Sequence, residues 1–171
     1  MKKIIFIIIM GIIGQQSLAQ KSKEIEKQAA EILSKMTLAE KIGQMTQVNI
    51  DAVCKGSDTP PTSTLELDKE KLRDVIVNYH VGSLLNAPNT RARTTDWWNK
   101  IITEIQHIAQ NETRLKIPVI YGLDQIHGAT YTAGSTMFPQ EINLAASFNP
   151  THARKMGEIT AHQTRASNVP W

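Results

Sequence analysis

Asp124, Gln125 and His127 stand together at the end of an apolar run, Lys116-Ile-Pro-Val-Ile-Tyr-Gly-Leu-Asp-Gln-Ile-His-Gly128. An acid, an amide and an imidazole offer between them hydrogen-bond acceptors and donors suited to a polar ligand. The run before them, Pro118 to Gly122, has the continuous apolar character of a strand buried on both faces in a parallel sheet. The C-terminal end of such a strand is where α/β barrels and open α/β sheets place their chemistry. Gly128 then lets the backbone turn sharply. Two readings of Asp124 fit this chemistry: a ligand-binding carboxylate at a strand exit, or a structural turn residue or helix cap.

The elements that must position these residues follow from hydrophobic spacing. Ile25, Ala29, Ile32, Leu33 and Met36 recur at helical intervals over Lys21 to Met36. Thr37-Leu-Ala-Glu40 has the pattern of a capping box opening a second short helix, with Leu38, Ile42 and Met45 on one face. Residues 51–64 are polar, contain Gly56 and Pro60-Pro61, and read as a loop. Asp68 is placed to cap a helix carrying Leu72, Val75, Ile76 and Tyr79. Val81 to Asn86 reads as a buried strand, and Asp96 as the start of a helix bearing Trp97, Ile101, Ile105 and Ile108. After the strand at Pro118 come a loop from Thr130 to Pro139, a helix from Thr151 to about Ala166, and the opening of a further strand at Asn168-Val-Pro-Trp171. Helices alternating with strands at these distances predict βαβ units and a largely parallel sheet, an α/β fold. A sheet of about three such strands leaves an edge and a face uncovered, as in the front part of a barrel that typically needs ~250 residues.

Composition narrows the classes. With 171 residues, 41% hydrophobic and 20% charged, the chain has the makeup of a globular protein. Met1-Lys2-Lys3 followed by the apolar stretch Ile4 to Ile13 and Ser17-Leu18-Ala19 is the pattern of a signal peptide over residues 1–19. The apolar stretch is too short to span a bilayer, so a periplasmic or secreted mature chain free of the membrane is expected. Removing Lys2 and Lys3 leaves 17 basic against 16 acidic residues, a net charge of +1 instead of +3. No basic stripe interleaves with aromatics, which argues against a nucleic-acid partner. The single cysteine, Cys54, cannot form an internal bridge and reads as an ordinary loop thiol. His80, His107, His152 and His162 are scattered without a second ligand at metal spacing, so no metal site is expected.

Taken in order, several segments resemble the family 3 glycoside hydrolases of the β-glucosidase type. Met36-Thr-Leu-Ala-Glu-Lys-Ile-Gly-Gln-Met45 is similar to that family's N-terminal signature, and Ile117 to Gly128 to its third-strand motif. Thr136-Met-Phe-Pro-Gln140, Asn143-Leu-Ala-Ala146, Gly157 and Thr164-Arg-Ala166 fit the family's pattern downstream of that strand. Asp124-Gln-Ile-His-Gly128 is similar to the glucosidase and xylosidase branch, whereas the N-acetylglucosaminidase branch more often carries Asp-Gln-Glu-Gly-Gly.

The resemblance implies that residues 20–171 are an incomplete N-terminal (β/α)8 TIM-like barrel domain of an exo-acting, retaining β-glycosidase with no cofactor. Its partner is a small-molecule or oligosaccharide substrate ending in a β-D-glucosyl residue. Asp124 takes the role of gripping hydroxyls of the terminal sugar. An ionised carboxylate has two acceptor oxygens for two neighbouring hydroxyls, and charge-assisted hydrogen bonds are the strong ones. For His127, an imidazole bonded within the turn to hold Asp124 in place is favoured over direct sugar contact. Trp97, in the first turn of an amphipathic helix, reads as packing; Trp98 is left open between packing and sugar stacking. Retaining hydrolysis needs two carboxyl groups about 5–5.5 Å apart. The family's nucleophile and acid/base are expected beyond Trp171, so the 171 residues alone are expected to lack activity. Asp51, Glu104, Glu141 and Glu158 end no expected strand and read as surface. The alternative is a non-catalytic sugar-binding or interaction remnant of the same barrel.

Overall fold

The computed structural model describes residues 22–55 and 66–171. The expected signal peptide, and most of the polar loop after Asp51, lie outside them. The chain divides into two compact units, the first ending at Leu38 and the second running from Ala39 to Trp171. In the first, the described part is a helix over 22–35 (α1), whose Ile25, Ile32 and Leu33 are exposed.

The second unit is built on three parallel strands in the order β1 (Gln47–Asn49), β2 (Ser83–Leu85) and β3 (Ile120–Gly122). Val48, Leu84 and Tyr121 stand in register across it and face the core. A short helix α2 (Leu38–Gln44) leads into β1. Between β1 and β2 come a 3-10 turn (Ile50–Val53), α3 (Lys69–Arg73) and a π-helical turn (Asp74–Asn78) that continues it. Asp68 caps α3 as expected, its Oδ1 accepting from the N–H groups of Glu70 and Lys71. The connection from β2 to β3 is the long helix α4 (Thr95–Glu112), and after β3 follow α5 (Glu141–Ala145) and α6 (Pro150–Ala166).

The core lies between one face of the sheet and the helices α3 and α4, filled by Leu72, Ile76, Trp98, Ile101, Ile105 and Leu84 among others. Close backbone contact fixes how the strands enter it. Gly43 lies against the carbonyls of Tyr79 and His80, where any Cβ would collide, and its own carbonyl accepts from the Gly82 N–H at 2.9 Å. Glu40, buried in α2, receives a bidentate pair of hydrogen bonds from Arg114 at 3.1 and 2.6 Å, tying α2 to the segment before β3.

Several expectations are corrected. The strand expected at Pro118 to Gly122 is shorter, and it is buried on one face only: Ile120 is 52% exposed, because the described helices cover the sheet from one side. β1 has just one apolar residue, Val48, which is why no strand was expected there. Asn168 to Trp171 form no regular strand; Asn168 takes a positive φ of 58°, and the segment bonds to β3's exit through Leu123 N–H to the Trp171 carbonyl at 2.9 Å. Helix α4 is capped by Thr94, not started by Asp96.

Trp97 packs against the core as expected, and Trp98, left open, lies within it. Trp98 is wholly buried, since the core face of α4 runs through Trp98, Ile101, Ile102, Ile105 and Ala109. Trp97 is half-buried beside it. Cys54, read as an ordinary loop thiol, is buried just after the 3-10 turn, its Sγ–H donating to the Ile50 carbonyl at 3.2 Å.

Candidate functional site

Parallel strands bring their C-terminal ends to one edge of the sheet, and three chemically different exits meet there. At the first, Asn49 spends its side-chain oxygen on the Asp51 N–H, 3.0 Å away, capping the 3-10 turn. At the second, Asn86 adopts a left-handed φ of 76°. Its N–H donates to the Gly122 carbonyl at 3.1 Å and its carbonyl accepts from the Tyr121 hydroxyl at 2.6 Å, so both backbone groups lock β2's exit to β3. At the third, the chain passes through Leu123 to Asp124, which is exposed. Among the described residues no hydrogen bond or ion pair engages the Asp124 side chain.

The loop after β3 has no helix or strand from Leu123 to Gln140. His127 Nδ1 lies 3.1 Å from the Phe138 carbonyl; because a carbonyl only accepts, that ring nitrogen carries the hydrogen. The Phe138 N–H returns a bond to the His127 carbonyl at 2.9 Å. Gly128, at φ 85°, passes so close to Thr136 and the Phe138 ring that a Cβ has no room. Between Asp124 and His127, the Gln125 amide has both polar atoms buried and without a hydrogen-bond partner. This residue lines a cavity of about 470 Å³ bordered by α5, α6 and Trp171.

The loop is tied to its surroundings at further points. The Arg93 N–H donates to the Tyr131 carbonyl, and the Ala133 N–H to the Arg93 carbonyl. Trp98 Nε1–H also donates to the Tyr131 carbonyl, at 2.8 Å, so the tryptophan left open between packing and stacking is occupied in the core. Arg93 carries its guanidinium 5.1 Å above the Trp97 ring, a cation–π arrangement.

Electrostatics separate the buried groups from the exits. Burial, then the negative charge of Asp51, pushes the Cys54 thiol up to about 11, against the opposing pull of Arg93 and Lys71, so it is a thiol and not a nucleophilic thiolate at neutral pH. Burial, then Cys54 and Asp51, pushes the Tyr121 phenol far upward, keeping it a hydrogen-bond donor to Asn86.

The four acids read as surface are placed accordingly, apart from two half-buried ones. Glu104 pairs with Lys69 at 2.9 Å and Asp51 sits in the 3-10 turn, while Glu141 and Glu158 are exposed on α5 and α6. The structure therefore brings Asp124 and His127 into one loop at a strand exit. Thr136 and Phe138, which hold that loop, belong to the segment Thr136 to Gln140 that resembles the family's pattern, whereas Gln163, which holds Thr136, carries no mark in the sequence beyond its polarity.

Three parallel strands, connecting helices on one side, and an acid at the third exit form a pattern that can be matched against known families. A family model described as the glycosyl hydrolase family 3 N terminal domain covers residues 37–171. The chain belongs to that family. Its α/β fold is the TIM-barrel-like fold of the family 3 N-terminal domain. This family 3 chain is 38% identical over 147 residues to the lysosomal beta glucosidase of Dictyostelium discoideum, covering 82% of its own length and 17% of that protein. It is 29% identical over 143 residues to the periplasmic beta-glucosidase of Salmonella typhimurium, covering 82% of itself and 15% of that protein. The chain thus spans well under a quarter of the length of these curated relatives. Among solved structures it is similar to an exo-1,3/1,4-beta-glucanase from a Pseudoalteromonas species, with a TM-score of 0.66 and 27% identity over 85% of this chain and 17% of that one.

Proposed function

We propose that this chain is the leading part of an exported, retaining exo-β-glycosidase that removes terminal β-D-glucosyl residues, and that Asp124 grips the sugar. The observation that carries this reading is the exposed Asp124 side chain, without a partner among the described residues, at a strand exit whose loop is held from several sides. A carboxylate left free by its own fold, on a loop anchored by hydrogen bonds at several points, is available to accept from two sugar hydroxyls at once. It also rejects a sugar lacking them, since its acceptors would be left unmet on binding. The similar proteins named as beta-glucosidases and a beta-glucanase support the same substrate class. The two named as periplasmic and lysosomal support export.

The reaction needs a nucleophile and an acid/base besides Asp124, with the two carboxyl groups about 5–5.5 Å apart. Both are assigned to the part of the protein beyond Trp171, so the 171 residues bind sugar without cleaving it. Calorimetric titration with D-glucose, paired with an aryl β-glucoside assay, tests this directly. Binding that Asp124→Ala abolishes, with no turnover, is the expected result; turnover lost in Asp124→Ala would overturn the assignment of catalysis elsewhere. In the second reading, a non-catalytic sugar binder of the same fold, a longer chain that includes the segments following Trp171 also fails to turn over the glucoside.

A further inference from the structure

The loop carrying Asp124 is anchored on α6 by an amide that uses both of its ends. Gln163 Oε1 accepts from the Thr136 N–H at 3.1 Å, and Gln163 Nε2 donates to Thr136 Oγ1 at 3.2 Å. Two residues further on, the Phe138 carbonyl and N–H bond to His127. Along the backbone, His127 lies three positions from Asp124. The same helix grips the loop a second time, where Ser167 at its C-terminal cap and Thr132 share a hydrogen bond of 2.9 Å in a buried setting. Gly128 makes the arrangement possible, since a side chain there would push Thr136 and Phe138 off the strand exit.

We propose that Gln163 is a positioning residue for Asp124, acting through Thr136, Phe138 and His127. The proposal rests on the reading of Asp124 as the sugar-gripping group. The loop is long and its backbone pairing is limited to isolated bridges at Thr132 and between Ile126 and Gly128, so side chains must add to what strand pairing does elsewhere: hold the carboxylate at one place before the sugar arrives. A loop ordered in advance loses less conformational entropy on binding. Gln163 suits the task because a primary amide offers acceptor and donor together, matching the N–H and hydroxyl of one threonine. A carboxylate in its place keeps only the acceptor, and a leucine keeps neither. His127 is the second bolt, and it works through Nδ1. Nε2 is the only ring nitrogen left for a direct sugar contact, which makes the two roles separable by substitution.

The test uses the whole 171-residue chain with D-glucose as the probe. Gln163→Leu and His127→Leu are expected to weaken glucose about tenfold, with Gln163→Glu between them and the parent. Backbone order parameters from Asp124 to Gly128 are expected to fall from ~0.85 toward ~0.6 in both leucine variants. Amide exchange at Thr136 and Phe138 accelerates with them. His127→Asn, whose amide nitrogen reproduces Nδ1, restores order and affinity, and His127→Gln, which reproduces Nε2, does not. Unchanged order and exchange in Gln163→Leu, or rescue by Gln and not by Asn, overturns the proposal. Asp124→Ala separates the two layers: glucose affinity is lost while order and exchange stay at parental values. Glucose binding absent from the parent chain, or undiminished in Asp124→Ala, overturns the sugar-gripping role and with it the purpose assigned to Gln163; the order parameters still report whether the bracket holds the loop.

Discussion

At the scale of single residues, the division of labour follows from what burial does to each group. Asp124 is exposed, and no hydrogen bond or ion pair engages its side chain among the described residues, while Cys54 and Tyr121 are buried and kept neutral. The thiol has a pH consequence. Its folded-state value lies above the ordinary 9.0, at about 11, so on raising the pH the unfolded chain releases this proton first. Stability is then fully present below pH 9.0 and declines as pH rises toward 11. Urea unfolding across that window is expected to show the decline, and Cys54→Ala to flatten it; Tyr121 adds to the loss at higher pH. In the folded chain at pH 8, thiol reagents should react slowly with Cys54 and rapidly only after denaturation. Fast labelling of the native chain would contradict the burial argument. The place of Asp124 at a strand exit was legible in the sequence because an apolar run ending on an acid is a local signal. The pairing of Gln163 with Thr136 was not, because it depends on a threonine brought to the helix by the fold.

Among the elements, α4 was readable and β1 was not, for one physical reason. An eighteen-residue amphipathic helix declares its face through repeated spacing, so its existence and core side follow from Ile101, Ile105 and Ile108. A three-residue strand with the sequence Gln-Val-Asn has no periodicity to declare and becomes a strand only by pairing with β2. Within this helix Trp97 packs as expected, while the role left open for Trp98 follows from its position one residue further on, about 100° around the axis. Trp98 fills the core and packs edge-on against Tyr121 at a centroid distance of 5.6 Å, while Trp97 lies at its margin. Trp98→Ala is therefore expected to cost about 3–5 kcal/mol in denaturant unfolding. Trp97→Ala should cost clearly less, and the reverse order would mean that the helix is rotated. At the N-terminus of α4, Thr94→Ala removes the bond to the Trp97 N–H and should cost ~1 kcal/mol.

For the second unit as a whole, the governing fact is a sheet with helices on one side. The parallel topology was legible from the alternation of elements, and the open face from the small number of strands. The exposed apolar side chains were not, since spacing says which residues share a face and not what covers it. Ile120, Ile142 and Phe148 are exposed, Phe148 to 94%. Large apolar groups presented to water in this number favour association. Light scattering is expected to show concentration-dependent self-association, reduced in an Ile142→Lys, Phe148→Ser double variant whose unfolding midpoint is unchanged. A parental chain that stays monomeric at high concentration would count against this.

The tryptophan placement also gives the molecule its own optical reporters. Of its three tryptophans, Trp98 is sealed between sheet and helix, Trp97 rests under a guanidinium, and Trp171 is 63% exposed against Gly122 at the C-terminal edge of the sheet. Emission from Trp98 should be blue and shielded from iodide, and that from Trp171 red and readily quenched. Iodide quenching can therefore follow the core and the strand exits separately in one unlabelled sample, distinguishing an opening of the site from the loss of the fold.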